Sequence, residues 1–144
     1  MKIVGVFSLI LYVILSVNLA YANELANEVR LQLQLYKLAG LSDGWSETHN
    51  EEYGIANHRE VNSYNMNLRA NTSYKLIAVC DKNCRDLDLV LFDENNREIS
   101  RDASNDNMPI VEVIPKWTGK FNLKVIMYLC DQNPCFYGVT VLAR

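Results

Sequence analysis

The sequence predicts a mainly β protein, an antiparallel, jelly-roll-like β-sandwich of about seven or eight strands with a short N-terminal helix. Three observations carry that reading. From Val61 onward, apolar and polar residues alternate with a period of two, as in strands that bury one face. Turn-forming clusters at Arg69 to Ser73, Glu94 to Arg97 and Trp117 to Lys120 separate the runs. The alternating leucines and valines supply the two inner faces that a sandwich needs.

The chain opens with Lys2, a nearly unbroken apolar run from Ile3 to Val17, and Ala20-Tyr21-Ala22 before polar Asn23 and Glu24. This is the layout of a secretory signal peptide with cleavage after Ala22. An uncleaved anchor is the alternative, since Ile3 to Ala22 is about long enough to span a bilayer. Asn18 and the small-x-small site favour cleavage, with no membrane insertion afterwards. No cysteine stands at the cleavage point, which argues against a lipid anchor. The expected organisation is a signal peptide at 1–22, a helix and polar loop at 23–60, and the sandwich at 61–144.

Glu24 to Ala39 fits two patterns. Leu25, Val29, Leu33 and Tyr36 fall on one helical stripe, while Val29, Leu31, Leu33 and Leu35 also alternate as in a strand. The abundance of Leu, Gln, Glu and Ala favours a helix stopped by Gly40. A polar loop follows, with His49, His58, Trp45 and Tyr53. Next come the runs "YKLIAVC", "DLDLVLF", "REIS", "PIVEVIP", "KFNLKVIMYLC" and "CFYGVTVLA". Asn95-Asn96 is expected to form a two-residue hairpin turn, because asparagine tolerates positive φ. Leu87, Leu89 and Leu91 then face inward, leaving Val90, Phe92 and Ile99 as an apolar patch on the other face. The N-terminal helix is the expected cover for that patch.

The net charge of the whole chain is −3, and loss of Lys2 with the signal makes it one unit more negative. Without a basic face, nucleic-acid binding is excluded. The four cysteines, Cys80, Cys84, Cys130 and Cys135, all follow the export signal, so an oxidising compartment and two disulfides are expected. Cys80-x3-Cys84 and Cys130-x4-Cys135 are nominally compatible with zinc, but thiolates rarely persist outside the cytosol. Neither pair is the Cys-x-x-Cys of a thioredoxin-like redox centre. Four cysteines allow three pairings. Cys80 to Cys130 would close a long loop worth roughly 4 kcal/mol, and each local pair about 2 kcal/mol. The local pairs fit a device used twice, a hydrophobic strand ending in Cys-Asp, then a polar residue, Asn and a second cysteine.

Folding the hairpin about Asn95-Asn96 sets Asp88 beside Ala103 and Asp86 beside Asn105. Asp81, Asp86, Asp88, Asp102 and Asp106 then gather at one end, with Asp93 at the other. Such a carboxylate group is what calcium takes, although the EF-hand frame is missing and acidic strand ends are also ordinary solvated surface. Catalytic patterns are thin. There is no Gly-x-Ser-x-Gly elbow, no His-Glu-x-x-His and no glycine-rich phosphate loop. No catalytic residue is assigned.

The stretches "YKLIAVCDKNCRDLDLVLFDENNREISRD", "MPIVEVIPKWTGKFNLKVIMYLC" and "PCFYGVTV" resemble bacterial pre-peptidase C-terminal domains and their free-standing, cysteine-bearing relatives. The resemblance runs from about Tyr74 to Leu142. Its most specific parts are Asp86-Leu87-Asp88-Leu89, Thr118-Gly119 and Tyr137-Gly138. It implies a jelly-roll-like sandwich in secreted bacterial proteins, commonly appended to proteases. It also implies calcium in some members and binding of the substrate polymer in some collagenase-associated ones. No protease domain precedes the sandwich in this sequence, so a module acting in its own right is expected.

The function expected is therefore a periplasmic or secreted, non-catalytic binding module. Its partner is a protein or glycan, met through aromatics such as Trp45, Tyr53, Trp117 and Tyr128. The alternatives are a small secreted enzyme using His49 or His58 with nearby glutamates, and a structural envelope protein.

Overall fold

A computed structural model describes residues 3–144, with side chains from Ser8 onward. Met1 and Lys2 of the expected signal peptide lie outside the described residues. The described residues form one helix, α1 (Ile3–Ser42), and then nine strands: β1 (Ser46–Glu47), β2 (Glu52–Ala56), β3 (Val61–Leu68), β4 (Tyr74–Cys80), β5 (Cys84–Phe92), β6 (Glu98–Asp102), β7 (Ile110–Val113), β8 (Gly119–Cys130) and β9 (Cys135–Ala143). The first sheet has the order β1-β9-β4-β7, with β2 also paired to β9. The second has the order β3-β8-β5-β6. All pairings are antiparallel.

The core lies between the sheets. Leu87, Leu89 and Leu91 of β5 and Phe121, Leu123, Val125 and Met127 of β8 meet Leu76, Ala78, Tyr137, Val139 and Val141 from the first sheet. The expected sandwich is present, enlarged by β1 and β2 from the segment read as polar loop. These two pair with β9 through their backbones, which their polar composition does not reveal.

The helix is 40 residues long rather than short, and it passes Gly40 to end at Ser42. Gly44 follows at φ +81°, the left-handed conformation that commonly closes a helix. Leu25, Val29 and Leu33 are buried, so the helical stripe is the correct reading of this segment. Its docking face differs from the expectation. It packs on the outside of the first sheet, where Val29 and Leu33 meet Val79 and Phe136, and Tyr36 meets Trp45, Ile77 and Leu142.

The reason is that β4 and β9 are apolar at both parities, whereas β8 alternates. A strand buried on both faces reads as a continuous apolar run, and only a covering layer makes that favourable. The patch on β5 finds other cover. Val90 is buried beside Lys124, whose ammonium lies 4.4 Å from the Phe92 ring, and Ile99 remains at the surface.

Between β5 and β6 the chain forms a longer loop than a two-residue turn, with a bulge at Leu91/Phe92. Asp93 holds it: Oδ1 accepts the amides of Asn95 (2.8 Å) and Arg97 (2.9 Å), and Oδ2 accepts Arg97 Nε (2.8 Å). Asn96 takes φ +58°, as asparagine allows. The bulge restores the expected register, with Leu89 opposite Asp102.

Gly138 fixes how closely helix and sheet approach. A Cβ there would stand 2.7 Å from Leu33 Cδ1 and 3.0 Å from Val29 Cγ1. Gly138→Val is therefore expected to lower stability by about 2 kcal/mol through overpacking. Urea or thermal unfolding checks this, and an unchanged midpoint would contradict the close seating of α1 on β9.

Candidate functional site

The two disulfides, Cys80–Cys84 and Cys130–Cys135, are the local pairs. Cys80 ends β4 in the first sheet and Cys84 begins β5 in the second. Cys130 ends β8 in the second sheet and Cys135 begins β9 in the first. Each disulfide thus closes a crossover between the sheets. Both crossovers stand at the same end, because Cys84 pairs with Cys130 and Cys80 pairs with Tyr137. The repeated Cys-Asp-x-Asn pattern is the sequence trace of this device.

Asp81 joins the two crossovers and is fully buried. Its Oδ1 accepts the Asn83 amide (2.9 Å) within its own loop, and its Oδ2 accepts the Phe136 amide (2.7 Å) beyond the other. Its backbone amide donates to the Phe136 carbonyl (3.0 Å), and that of Asp131 donates to the Asn83 carbonyl (2.8 Å). Arg85 pairs with Asp131 at 2.6 Å across the loop tips.

A third loop, Asn57 to Glu60, locks onto this end. The His58 amide donates to Asn133 Oδ1 (2.7 Å), and the Arg59 amide donates to the Met127 carbonyl (2.6 Å). The Arg59 guanidinium lies 5.3 Å from the Tyr128 ring. From α1, Gln32 Nε2 donates to the Cys80 carbonyl (3.0 Å), and Glu24 pairs with Lys82 at 2.8 Å. Tyr128 and Leu129 remain exposed on this cross-braced end, at 46% and 39%.

Of the five aspartates expected as metal ligands, three are engaged in local turns, while Asp86 and Asp88 stand near Asp106 and Asp102. Asp81, Asp102 and Asp106 each accept the amide two residues on, from Asn83, Ser104 (3.1 Å) and Met108 (2.9 Å). This is the Asx turn, the local use that makes aspartate a turn residue. Asp102 also accepts the Ser104 hydroxyl (2.8 Å) and, through its other oxygen, the Ile110 amide (2.9 Å). Burial opposes its charge, but these donors hold its carboxyl below the usual range. Among the described residues, no three His, Cys, Asp or Glu side chains are grouped to hold a metal ion.

Asp86 and Asp88 form the remainder of the cluster, on the outer face of β5. Asp86 is 6% exposed and its Oδ1 has no hydrogen-bond partner among the described residues. Burial and the nearby charge of Asp106 push its carboxyl above the usual range, with Asp88 partly opposing. Burial, followed by the charges of Asp86 and Asp102, pushes Asp88 up to about 6, with Arg101 partly offsetting.

Both histidines have structural partners. His49 Nε2 donates to the Asn67 carbonyl (3.0 Å), and Nδ1 shares a hydrogen bond with Thr48 Oγ1 (2.9 Å), bridging the edges of the two sheets. His58 Nε2 accepts from Arg59 Nε (3.3 Å). Among the described residues, neither has a glutamate as hydrogen-bond partner. Of the four aromatics, Trp45 is buried beneath Lys75 and Arg144, and Trp117 stacks on Phe121 as a cap on the core. Tyr53 and Tyr128 are available at the surface.

No protein-family model matches the sequence, and no curated protein matches it. The structure is similar to the pre-peptidase C-terminal domain of collagenase from Bacillus anthracis, at 18% identity and a TM-score of 0.50, covering 64% of this chain and 87% of that one. The fold is that of the pre-peptidase C-terminal domain. PliG of Aeromonas hydrophila, a periplasmic inhibitor of g-type lysozyme, shares it at 11% identity and a TM-score of 0.50, covering 66% of this chain and 85% of that one. PliG of Salmonella Typhimurium matches at 18% identity and a TM-score of 0.40, covering 65% and 89%.

The raised carboxyls give a pH signature. An unfolded aspartate titrates near 4, whereas Asp88 in the fold holds its proton to about 6. Between those values the unfolded chain has released a proton that the folded one retains, so this group makes stability fall as pH rises. Asp88→Asn is expected to match wild type near pH 4 and to melt higher near pH 8. A melting profile across pH checks this, and a lower melting temperature for the variant near pH 8 would contradict it.

Proposed function

We propose that this chain is an exported, non-catalytic protein-binding module whose recognition surface is the disulfide-stapled end. One observation carries the reading: loops from both sheets are cross-linked around buried Asp81 and present Arg59, Tyr128 and Leu129 on a rigid base. Loops held by a rigid scaffold are the usual place for recognition, and exposed Tyr and Arg are the side chains that most often dominate an interface. Ordering such loops in advance lowers the entropic cost of association. A periplasmic protein of the same fold inhibits g-type lysozyme, which supports a protein as the class of partner.

Export is supported by the two disulfides, which persist in oxidising compartments. The apolar part of α1 is long enough to cross a bilayer, is almost unburied, and lies where a signal sequence lies. Cleavage after Ala22 leaves 23–60 as helix and edge strands and 61–144 as the main sandwich, with the Glu24–Lys82 pair retained. The partners of His49 and His58 support a structural role for both rather than an enzyme.

A photo-crosslinking residue placed at Tyr128, in cells that export the protein, is expected to give discrete, protease-sensitive adducts. The same residue at Lys116, at the opposite end, is expected to give none. Equal adducts at both positions would contradict the assignment, and adducts resistant to protease would point to a glycan instead.

A second reading rests on Asp86 Oδ1, a buried carboxylate oxygen without a partner. Together with Asp88 it offers the hard oxygen donors that calcium takes. If the pair serves this purpose, millimolar calcium raises the melting temperature of the wild type by linkage and leaves Asp86→Asn unchanged. An unaltered wild-type melt would remove calcium from the account.

A further inference from the structure

Among the described residues, β2 is an edge strand whose only strand partner is β9. The Ile55 carbonyl accepts from Asn62 Nδ2 (3.3 Å), so the Ile55 backbone points away from the β9 ladder. In an antiparallel pair that direction repeats every second residue, so the Tyr53 backbone points the same way. Exposed edges are commonly blunted by lysine, proline or a bulge. "EYGIA" has none of these, and it exposes Ile55 at 54% and Tyr53 at 41%.

Beside this edge runs a groove of about 250 Å³ between β2 and α1, lined by Ala26, Val29, Arg30, Tyr53, Ile55 and Phe136 among others. On the other face of β2 a polar cavity of about 390 Å³ opens in the seam toward β3, lined by Thr48, Asn50, Glu52 and Tyr64 among others. Arg30 stacks over Tyr53 at 5.7 Å and donates to Asn27 (3.1 Å), but it forms no ion pair among the described residues. Ala56 leads straight into the loop that sets Arg59 over Tyr128, so the edge is continuous with the stapled end.

We propose that β2 receives an extended segment of the partner protein as an added strand. Successive side chains of a strand point to opposite faces. An added strand therefore drops every second side chain into the α1 groove and the intervening ones into the polar seam. The segment is read as alternating apolar and small polar residues, with an acidic residue beside the apolar anchor to meet Arg30. Main-chain bonds to the Tyr53 amide and carbonyl and to the Ile55 amide give affinity, with the added strand sharing or displacing Asn62 at the Ile55 carbonyl, and the two pockets give selectivity. This mode rests on the protein-binding reading above.

The test is selection of random seven-residue peptides displayed on phage against the purified, oxidised protein. Enriched peptides are expected to alternate apolar and polar residues and to carry an acid. Hydrogen exchange at the Tyr53 and Ile55 amides is expected to slow on binding. Ile55→Lys and Arg30→Glu, each shown to be folded by its melt, are expected to weaken binding about tenfold or more, the equivalent of about 1.4 kcal/mol, while Lys116→Ala, at the end away from the edge, retains it. No enrichment would overturn strand addition. So would peptides that tolerate both variants and leave the two amides unprotected. The crosslinks at Tyr128 judge the binding module separately, so the two failures are distinguishable.

Discussion

The buried carboxylate of Asp81 holds the two sheet-crossing loops to each other, and the rest of the stapled end is arranged around it. Two packed sheets must be joined where the chain passes between them, and such crossings leave backbone amides without ladder partners. Buried amides of that kind are costly unless paired. One carboxylate answers this on both sides, taking the Asn83 amide with one oxygen and the Phe136 amide with the other. The disulfides then fix the strand ends, each contributing about 2 kcal/mol on the chain-entropy estimate. Their effect on geometry is larger than that figure implies, because both act at the same end of the sandwich.

The helix completes the arrangement from outside. β4 and β9 are buried on both faces, so the first sheet is a middle layer and requires α1 as a cover. Gly138 lets that cover lie close, and Gln32 and Glu24 extend it to the crossover loops. The same helix walls the groove along β2. Helix, stapled loops and edge strand therefore form one continuous surface, built from segments far apart in the chain.

Much of this was legible from residue patterns. The alternation in "KFNLKVIMYLC" gave β8 and its inner face, and the stripe Leu25, Val29, Leu33 gave the buried face of α1. The spacing and repetition of Cys-Asp-x-Asn pointed to local disulfides. The docking face of α1 is set not by the small patch at Val90 and Phe92 but by β4 and β9. The stronger signal was the continuous apolar character of "YKLIAVC" and "CFYGVTVLA". The use of the aspartates was less legible for a different reason. Proximity in a hairpin does not distinguish a ligand from an Asx turn, and Asp81, Asp102 and Asp106 are all turn formers. β1 and β2 were hidden because an edge strand is held by its backbone, and "SE" and "EYGIA" carry little apolar pattern.

The central claim is that the two disulfides hold the loops of one end in a single arrangement ready for a partner. Hydrogen exchange of the oxidised and reduced protein tests it most directly. In the oxidised protein the amides of Asn83, Asp131 and Arg59 should exchange slowly, near the rate of the β8 core. On reduction those amides should speed up while Leu123 and Val125 stay protected. Fast exchange of the three loop amides in the oxidised protein would contradict the account.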